Sequence, residues 1–246
     1  MEIDRYAVKA HAKELIRTSN PRVLYASVIF IALSTVISLL SNRIVGISRD
    51  DLMLYLQYMN NGDFESALSL LGSIAPSSGA QLVNILLRCV LLLVSLGLTI
   101  FLLNTLRGTA PDLGNLLDGF GLWWKALLLA LVIGVFVFLW SLLLIIPGII
   151  AAYRYSMSFY VLINHPDYGI MECINESKRL TTGWKGTLFV LDLTFLGWVL
   201  LCSIPILGWI LSVWVTPYRS LTFLQYYEKI SGYHVPAEEP ADSWAE

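Results

Sequence analysis

Four charged side chains lie inside long apolar runs of this chain: Arg88, Arg154, Asp192 and Arg219. Placing an arginine or aspartate at the centre of a bilayer costs about 2.5–3.5 kcal/mol, so each needs a partner or a task. Asp192 and Arg219 carry opposite charges and sit in adjacent runs, which reads as an intramembrane ion pair fixing the register of two helices. A coupling-ion or proton site is the alternative reading of that pair. Arg88 and Arg154 have no carboxylate at their depth in any run. Two such guanidinium groups could line a site for an anion, such as a lipid phosphate. The competing reading is that both stems snorkel to headgroups.

Other chemistry finds few parts. His11, His165 and His234 all fall outside the apolar runs, so a histidine-based intramembrane zinc site is not available. Cys89, Cys173 and Cys202 are scattered without metal or disulfide spacing and read as small apolar packing residues. There is no HExxH, Walker A or GxSxG motif, and the runs hold a single acidic residue, Asp192, where an aspartyl protease would need two. The expectation is therefore no enzyme, no cofactor and no metal. A net charge of −2 points to no nucleic-acid partner.

The elements holding these residues follow from composition. Soluble domains are about 45–50% apolar and about 25% charged. This chain of 246 residues is 57% apolar and 14% charged, values suited to a chain surrounded largely by lipid. The expected fold is all-α, a polytopic membrane bundle of six spans at about 23–40, 82–106, 126–146, 149–163, 187–203 and 206–227. The first run is too long for a signal-peptide core, so no cleavable signal is expected. Pro147-Gly148 is read as the turn between spans three and four, leaving the fourth only about 22 Å long. Ile204-Pro205 leaves almost no loop, so spans five and six form an antiparallel hairpin.

Outside the membrane domain of 23–230, residues 1–22 form a basic cytoplasmic or interfacial helix in which Arg5, Lys9, Lys13 and Arg17 make one stripe. Its apolar residues do not gather on one face, and anionic headgroups would relieve the repulsion along the stripe. A solvated helix is the other reading. Residues 41–81 hold two short helices with acidic first turns, lying at the interface or capping the bundle. Trp123, Trp124 and Lys125 read as interface anchors. Residues 166–182 form an interfacial amphipathic helix with Ile170, Cys173, Ile174, Ser177, Leu180 and Thr181 on one face, and Gly183 as its cap. Residues 231–246 are a flexible acidic tail. Eleven of the sixteen Lys and Arg fall in the segments that are inner when both termini are cytoplasmic, and two in outer segments. In that orientation Asp192 lies roughly 9 Å and Arg219 roughly 12 Å from the inner surface, with Arg88 and Arg154 roughly 8–9 Å from the outer one.

The stretches LWSLLLIIPGIIAAYRYSMSFYVLINHPD (139–167), ESKRLTTGWKGTLFVLDLTFLGWVLL (176–201) and VTPYRSLTFLQYYEKI (215–230) resemble a family of uncharacterised bacterial integral-membrane proteins. That family is common in Firmicutes and is defined only as a domain of unknown function. The resemblance extends to LRGTAPDLGNLLDGF (106–120) and weakly to KAHAKELI (9–16). A looser likeness links the Pro-Gly turn, the Arg-bearing span and the Ser-bearing amphipathic helix to the membrane domain fused to some glycerophosphodiester phosphodiesterases. It implies a lipid-associated context and no catalytic residues, because the hydrolase part is absent.

These readings converge on a multi-pass protein of the bacterial cytoplasmic membrane, non-enzymatic, binding lipid or a membrane-protein partner, a second copy of itself included. The alternative is a small transporter or channel using Arg88, Arg154, Asp192 and Arg219.

Overall fold

The computed structural model describes residues 4–19, 22–45, 49–74, 77–109, 111–204 and 207–232. All regular structure among them is helical, in thirteen α-helices and one 3-10 turn. In order these are α1 (Arg5–Thr18), α2 (Arg22–Val45), α3 (Arg49–Asn60), α4 (Phe64–Ile74), α5 (Ser78–Leu106), α6 (Asn115–Asp118) and α7 (Trp123–Leu143). There follow α8 (Ile145–Tyr155), α9 (Ser158–Asn164), α10 (Ile170–Thr181), α11 (Lys185–Leu193), α12 (Leu196–Cys202) and α13 (Leu207–Ser231). The acidic tail beyond Gly232 lies outside the described residues, as do Asn20-Pro21 and the Pro205 of the expected hairpin turn.

Four stretches are long and apolar enough to cross a membrane: Arg22–Ile44, Ser78–Leu106, Asn115–Leu143 and Ile145–Asn164. The pair α11–α12, bent by 41°, makes a fifth. Helix α13, at 25 residues, is about 37 Å long, but Thr216 to Ser220 interrupt its apolar run and it does not join that set. The regular structure of the described residues is thus all-helical, with four or five apolar spans among them.

The chain divides into two units, Met1–Ile31 with Leu93–Glu246, and Ala32–Leu92, the divisions falling inside α2 and α5. In the smaller unit α3 packs on α4. Asp63 caps α4 by accepting the Ser66 N–H at 3.0 Å, and bonding from Ser66 lowers the carboxyl pKa.

In the larger unit, α1 gathers apolar residues on one face, contrary to the expectation that they would not. Val8, Ala12 and Ile16 recur every four residues, form one buried face, and α1 packs with that face against α13. The Gln225 amide of α13 meets the Val8 carbonyl and His11 Nδ1, both at 3.2 Å. The neighbouring basic stripe is engaged by protein too. Lys9 stands 4.6 Å over the Phe195 ring and donates to Thr194 Oγ1, and Lys13 stands 5.6 Å over the Tyr218 ring. Burial, then Lys13 and Arg5, lower the Lys9 pKa.

A second correction concerns the turn after α7. The break falls at Leu144, whose φ of −164° and ψ of 152° are extended, and Pro147-Gly148 lies inside the first turn of α8. Proline costs nothing there, because the first N–H groups of a helix have no intrahelical acceptor. The span therefore begins at Ile145, and its 20 residues reach about 30 Å, a full hydrocarbon thickness. Gly148 allows α7 and α8 to touch: a Cβ there would stand 2.1 Å from Ser141 Oγ and 3.0 Å from Ser141 Cα.

The amphipathic helix expected at 166–182 begins at Ile170, and its Cys173, Ile174, Ser177, Leu180 and Thr181 form one face, buried against α8 and α9. Gly183 ends it at φ +86°.

Burial is uneven along the unit. On α13, Leu207, Trp209 and Ile210 are exposed, whereas every residue from Leu224 to Glu228 is buried. Helix α12 has no buried residue, and the second half of α7 exposes Phe138, Leu139, Trp140 and Leu142. A water-facing surface rarely carries so continuous an apolar band, and hydrocarbon is the solvent that fits it.

Candidate functional site

Three helices of the larger unit are irregular near one another. The span of α8 and α9 breaks at Ser156-Met157, and α11–α12 breaks at Thr194-Phe195. The third, α13, carries Pro217 in its interior, where the missing N–H leaves the Val213 carbonyl without its helical donor. Sequence explains the second break: Thr194 Oγ1 bonds back to the Leu191 carbonyl at 2.6 Å, competing with the helical ladder. The first break is held from outside by Ser177 of α10. Its hydroxyl accepts the Met157 N–H at 3.2 Å and donates to the Arg154 carbonyl at 3.0 Å, which also receives Thr181 Oγ1 at 3.2 Å.

Asp192, Arg219 and Tyr153 meet beside these irregularities. Asp192 is the penultimate residue of α11, and Arg219 follows Pro217 by two. Arg219 donates to Asp192 Oδ1 from Nη2 at 2.7 Å and from Nε at 3.2 Å. Tyr153 of α8 donates its hydroxyl to Asp192 Oδ2 at 3.0 Å. The guanidinium also stacks 5.5 Å from the Phe223 ring centre. A cavity of about 400 Å³ opens on this cluster. Its polar lining is Tyr153, Ser156, Tyr160, Asp192, Arg219 and Ser220; Ile149, Ala152, Met157 and Phe223 supply the apolar part. A second cavity of about 210 Å³ shares Arg219 and Ser220 and is otherwise lined from α12 and α13 by Val199, Cys202, Ser212, Val215 and Thr216. The arrangement can hold a charged or dipolar group at Arg219 with apolar matter on either side. Among the described residues no three His, Cys, Asp or Glu side chains come together as a metal group.

The structure brings Asp192 and Arg219 together, and Arg154 makes no ion pair with Asp192. Arg88 belongs to the smaller unit, is exposed, and donates Nε to Asn84 Oδ1 at 3.0 Å, the oxygen that also receives Ser41 Oγ at 3.0 Å. Arg154 is half-buried in the larger unit, pairs with no carboxylate among the described residues, and lines neither cavity.

Several functional contacts had no signal in the sequence reading. Arg107, beyond α5, donates to buried Glu228 of α13 from Nη2 at 2.6 Å and to Asn164 Oδ1 at 2.6 Å. Asn164 in turn donates to the Tyr227 hydroxyl at 2.9 Å. Lys125 donates to the carbonyls of Pro166 and Tyr168, tying the start of α7 to the turn before α10. Partners more than forty residues apart leave no local spacing rule, and Tyr153 and Tyr155 flank Arg154 alike, so the sequence does not single out Tyr153.

The geometry lies within one recognisable segment. Residues 141–234 match the family described as Protein of unknown function (DUF975). Every residue lining the two cavities falls inside the DUF975-matching segment. No curated protein and no solved structure matches the chain.

Proposed function

We propose that this is a non-enzymatic integral membrane protein whose Asp192–Arg219 cavity binds the polar end of a membrane lipid. Six spans, with α13 the sixth, put both termini on the cytoplasmic side by the Lys and Arg distribution, and a bacterial cytoplasmic membrane is the setting the quoted family likeness favours. The observation that carries the reading is an ion pair with an open cavity at three helix irregularities. Irregular backbone at membrane depth is tolerated where it lines a cavity, and ionisable groups there mark ligand paths. Arg219 remains 47% exposed even while paired, so its guanidinium is accessible to a guest.

The test is lipid analysis of the full chain purified in mild detergent, comparing wild type with Ser156→Phe. Ser156 is exposed and lines the cavity, so the ring fills the space while the ion pair stays. The expected result is loss of co-purifying lipid at unchanged thermal stability. Equal lipid content in both proteins would refute the reading.

The broken helices favour a second reading, a small transporter or channel, since discontinuous helices build many transport sites. It requires water access to the cavity from both sides in turn. Cysteines placed at Ser156 and Ser220 should then label from opposite sides of the membrane under different conditions. Cys173 is a suitable silent background thiol, because burial raises its pKa and the thiolate is the reactive form.

A further inference from the structure

We infer that the cavity selects a zwitterionic ammonium–phosphate headgroup, an assignment that rests on the lipid reading above and names its ligand class. The charge balance of the site is the first ground. One carboxylate and one guanidinium line the cavity, and the other lining side chains are uncharged. A guest of a single sign gives a counter-charge to one of the two groups and sets its own charge beside the like charge of the other. A guest bearing both signs gives each group a counter-charge, and the site stays neutral throughout.

Donor geometry is the second ground. Arg219 approaches Asp192 through Nε and Nη2, both aimed at Oδ1, so Nη1 keeps its two protons for a phosphate oxygen. The Phe223 ring under the guanidinium fixes its plane, and the Ser220 hydroxyl lies at the same wall. An ammonium has Asp192 as its anion, and the rings of Tyr153, Tyr160 and Phe223 as π faces in the same cavity.

The third ground is shape. Arg219 and Ser220 line both cavities, so a phosphate held there has the larger cavity, with Asp192 and the rings of Tyr153 and Tyr160 in its wall, on one side. On the other side is the smaller one, with Val199, Cys202 and Val215 in its wall. That sequence of environments is the sequence of groups in a phospholipid: ammonium, phosphate, then glycerol and chain.

The experiment titrates the full chain in detergent with four dioctanoyl lipids, carrying phosphoethanolamine, phosphocholine, phosphoglycerol or an unsubstituted glycerol hydroxyl, and follows tryptophan fluorescence. At least one zwitterion should bind about tenfold tighter than the phosphoglycerol and the uncharged lipid, about 1.4 kcal/mol. Preference for phosphoethanolamine would assign the ammonium to hydrogen bonding with Asp192; preference for phosphocholine would assign it to the aromatic faces. Asp192→Asn should reverse the order in favour of phosphoglycerol. Tyr153→Phe keeps both charges and removes one support of the carboxylate, so it should weaken the zwitterions more than phosphoglycerol, even if Asp192→Asn does not fold. Wild-type binding of phosphoglycerol as tight as the better-bound zwitterion overturns the selectivity and leaves the lipid reading standing. Saturable binding of none of the four overturns both.

Discussion

Removing the Ser177 hydroxyl should destabilise the larger unit far out of proportion to one surface-type serine. Ser177 is fully buried on α10, and its oxygen occupies the gap at the α8–α9 break, accepting from Met157 N–H and donating to the Arg154 carbonyl. In Ser177→Ala the Met157 N–H has no replacement partner, and an orphaned buried donor costs about 1–3 kcal/mol. The Arg154 carbonyl loses less, because Thr181 Oγ1 still reaches it at 3.2 Å. For a unit of this size each kcal/mol moves the midpoint by about 2–4 °C, so the expected drop is about 2–12 °C. Thr181→Val removes only a donor whose acceptors keep other partners, and should cost about 0.5–1 kcal/mol. Thermal unfolding of the purified chain, followed by tryptophan fluorescence, reads both. A midpoint for Ser177→Ala within 1 °C of wild type, or a larger loss for Thr181→Val, would refute the role given to this hydroxyl.

Asp192→Arg and Arg219→Asp should each lower the yield of folded protein, and the double reversal should restore it, as judged by size-exclusion profile. A double variant no better than the singles would deny the pair its structural share. Gly148→Ala should open the α7–α8 contact and cost about 1–3 kcal/mol of overpacking, partly recovered in a Ser141→Gly background that removes the Oγ and Cβ its own Cβ would strike and leaves only the Ser141 Cα; an equal loss in both backgrounds would contradict this. Glu176 accepts from Arg179 Nε at 2.8 Å, and hydrogen bonding from Arg179 holds its carboxyl below the usual range against the opposing effect of burial. A lowered carboxyl pKa stabilises above its unfolded value, and that stabilisation disappears as pH falls through the lowered one. Because Arg179 is largely exposed, Glu176→Gln should flatten the acid limb of stability against pH by only about 0.2–1 kcal/mol.

How much of this was legible in the sequence depends on the range of each signal. Apolar runs and Lys/Arg asymmetry locate membrane helices, and the offsets of Asp192 and Arg219 within neighbouring runs suffice to put them opposite one another. The α7–α8 turn was misplaced by a few residues because a Pro-Gly pair serves the first turn of a new helix as well as the end of an old one, and only the extended backbone of Leu144 decides between them. The buried stripe of α1 was hidden by small Ala12 and by its basic neighbours, which the sequence assigns to water or lipid and the fold lays over Phe195 and Tyr218. The cavity was not legible, because it arises from three irregularities in separate helices. Of these, Pro217 alone announces itself by residue type.

The most direct test of the central claim is a density map of the full chain reconstituted in nanodiscs containing phosphoethanolamine, phosphocholine and phosphoglycerol lipids. The account expects headgroup density within hydrogen-bonding distance of Arg219, with the exposed faces of α7 and α12 embedded in the lipid layer. A closed Asp192–Arg219 contact with no lipid in a collapsed cavity would contradict it.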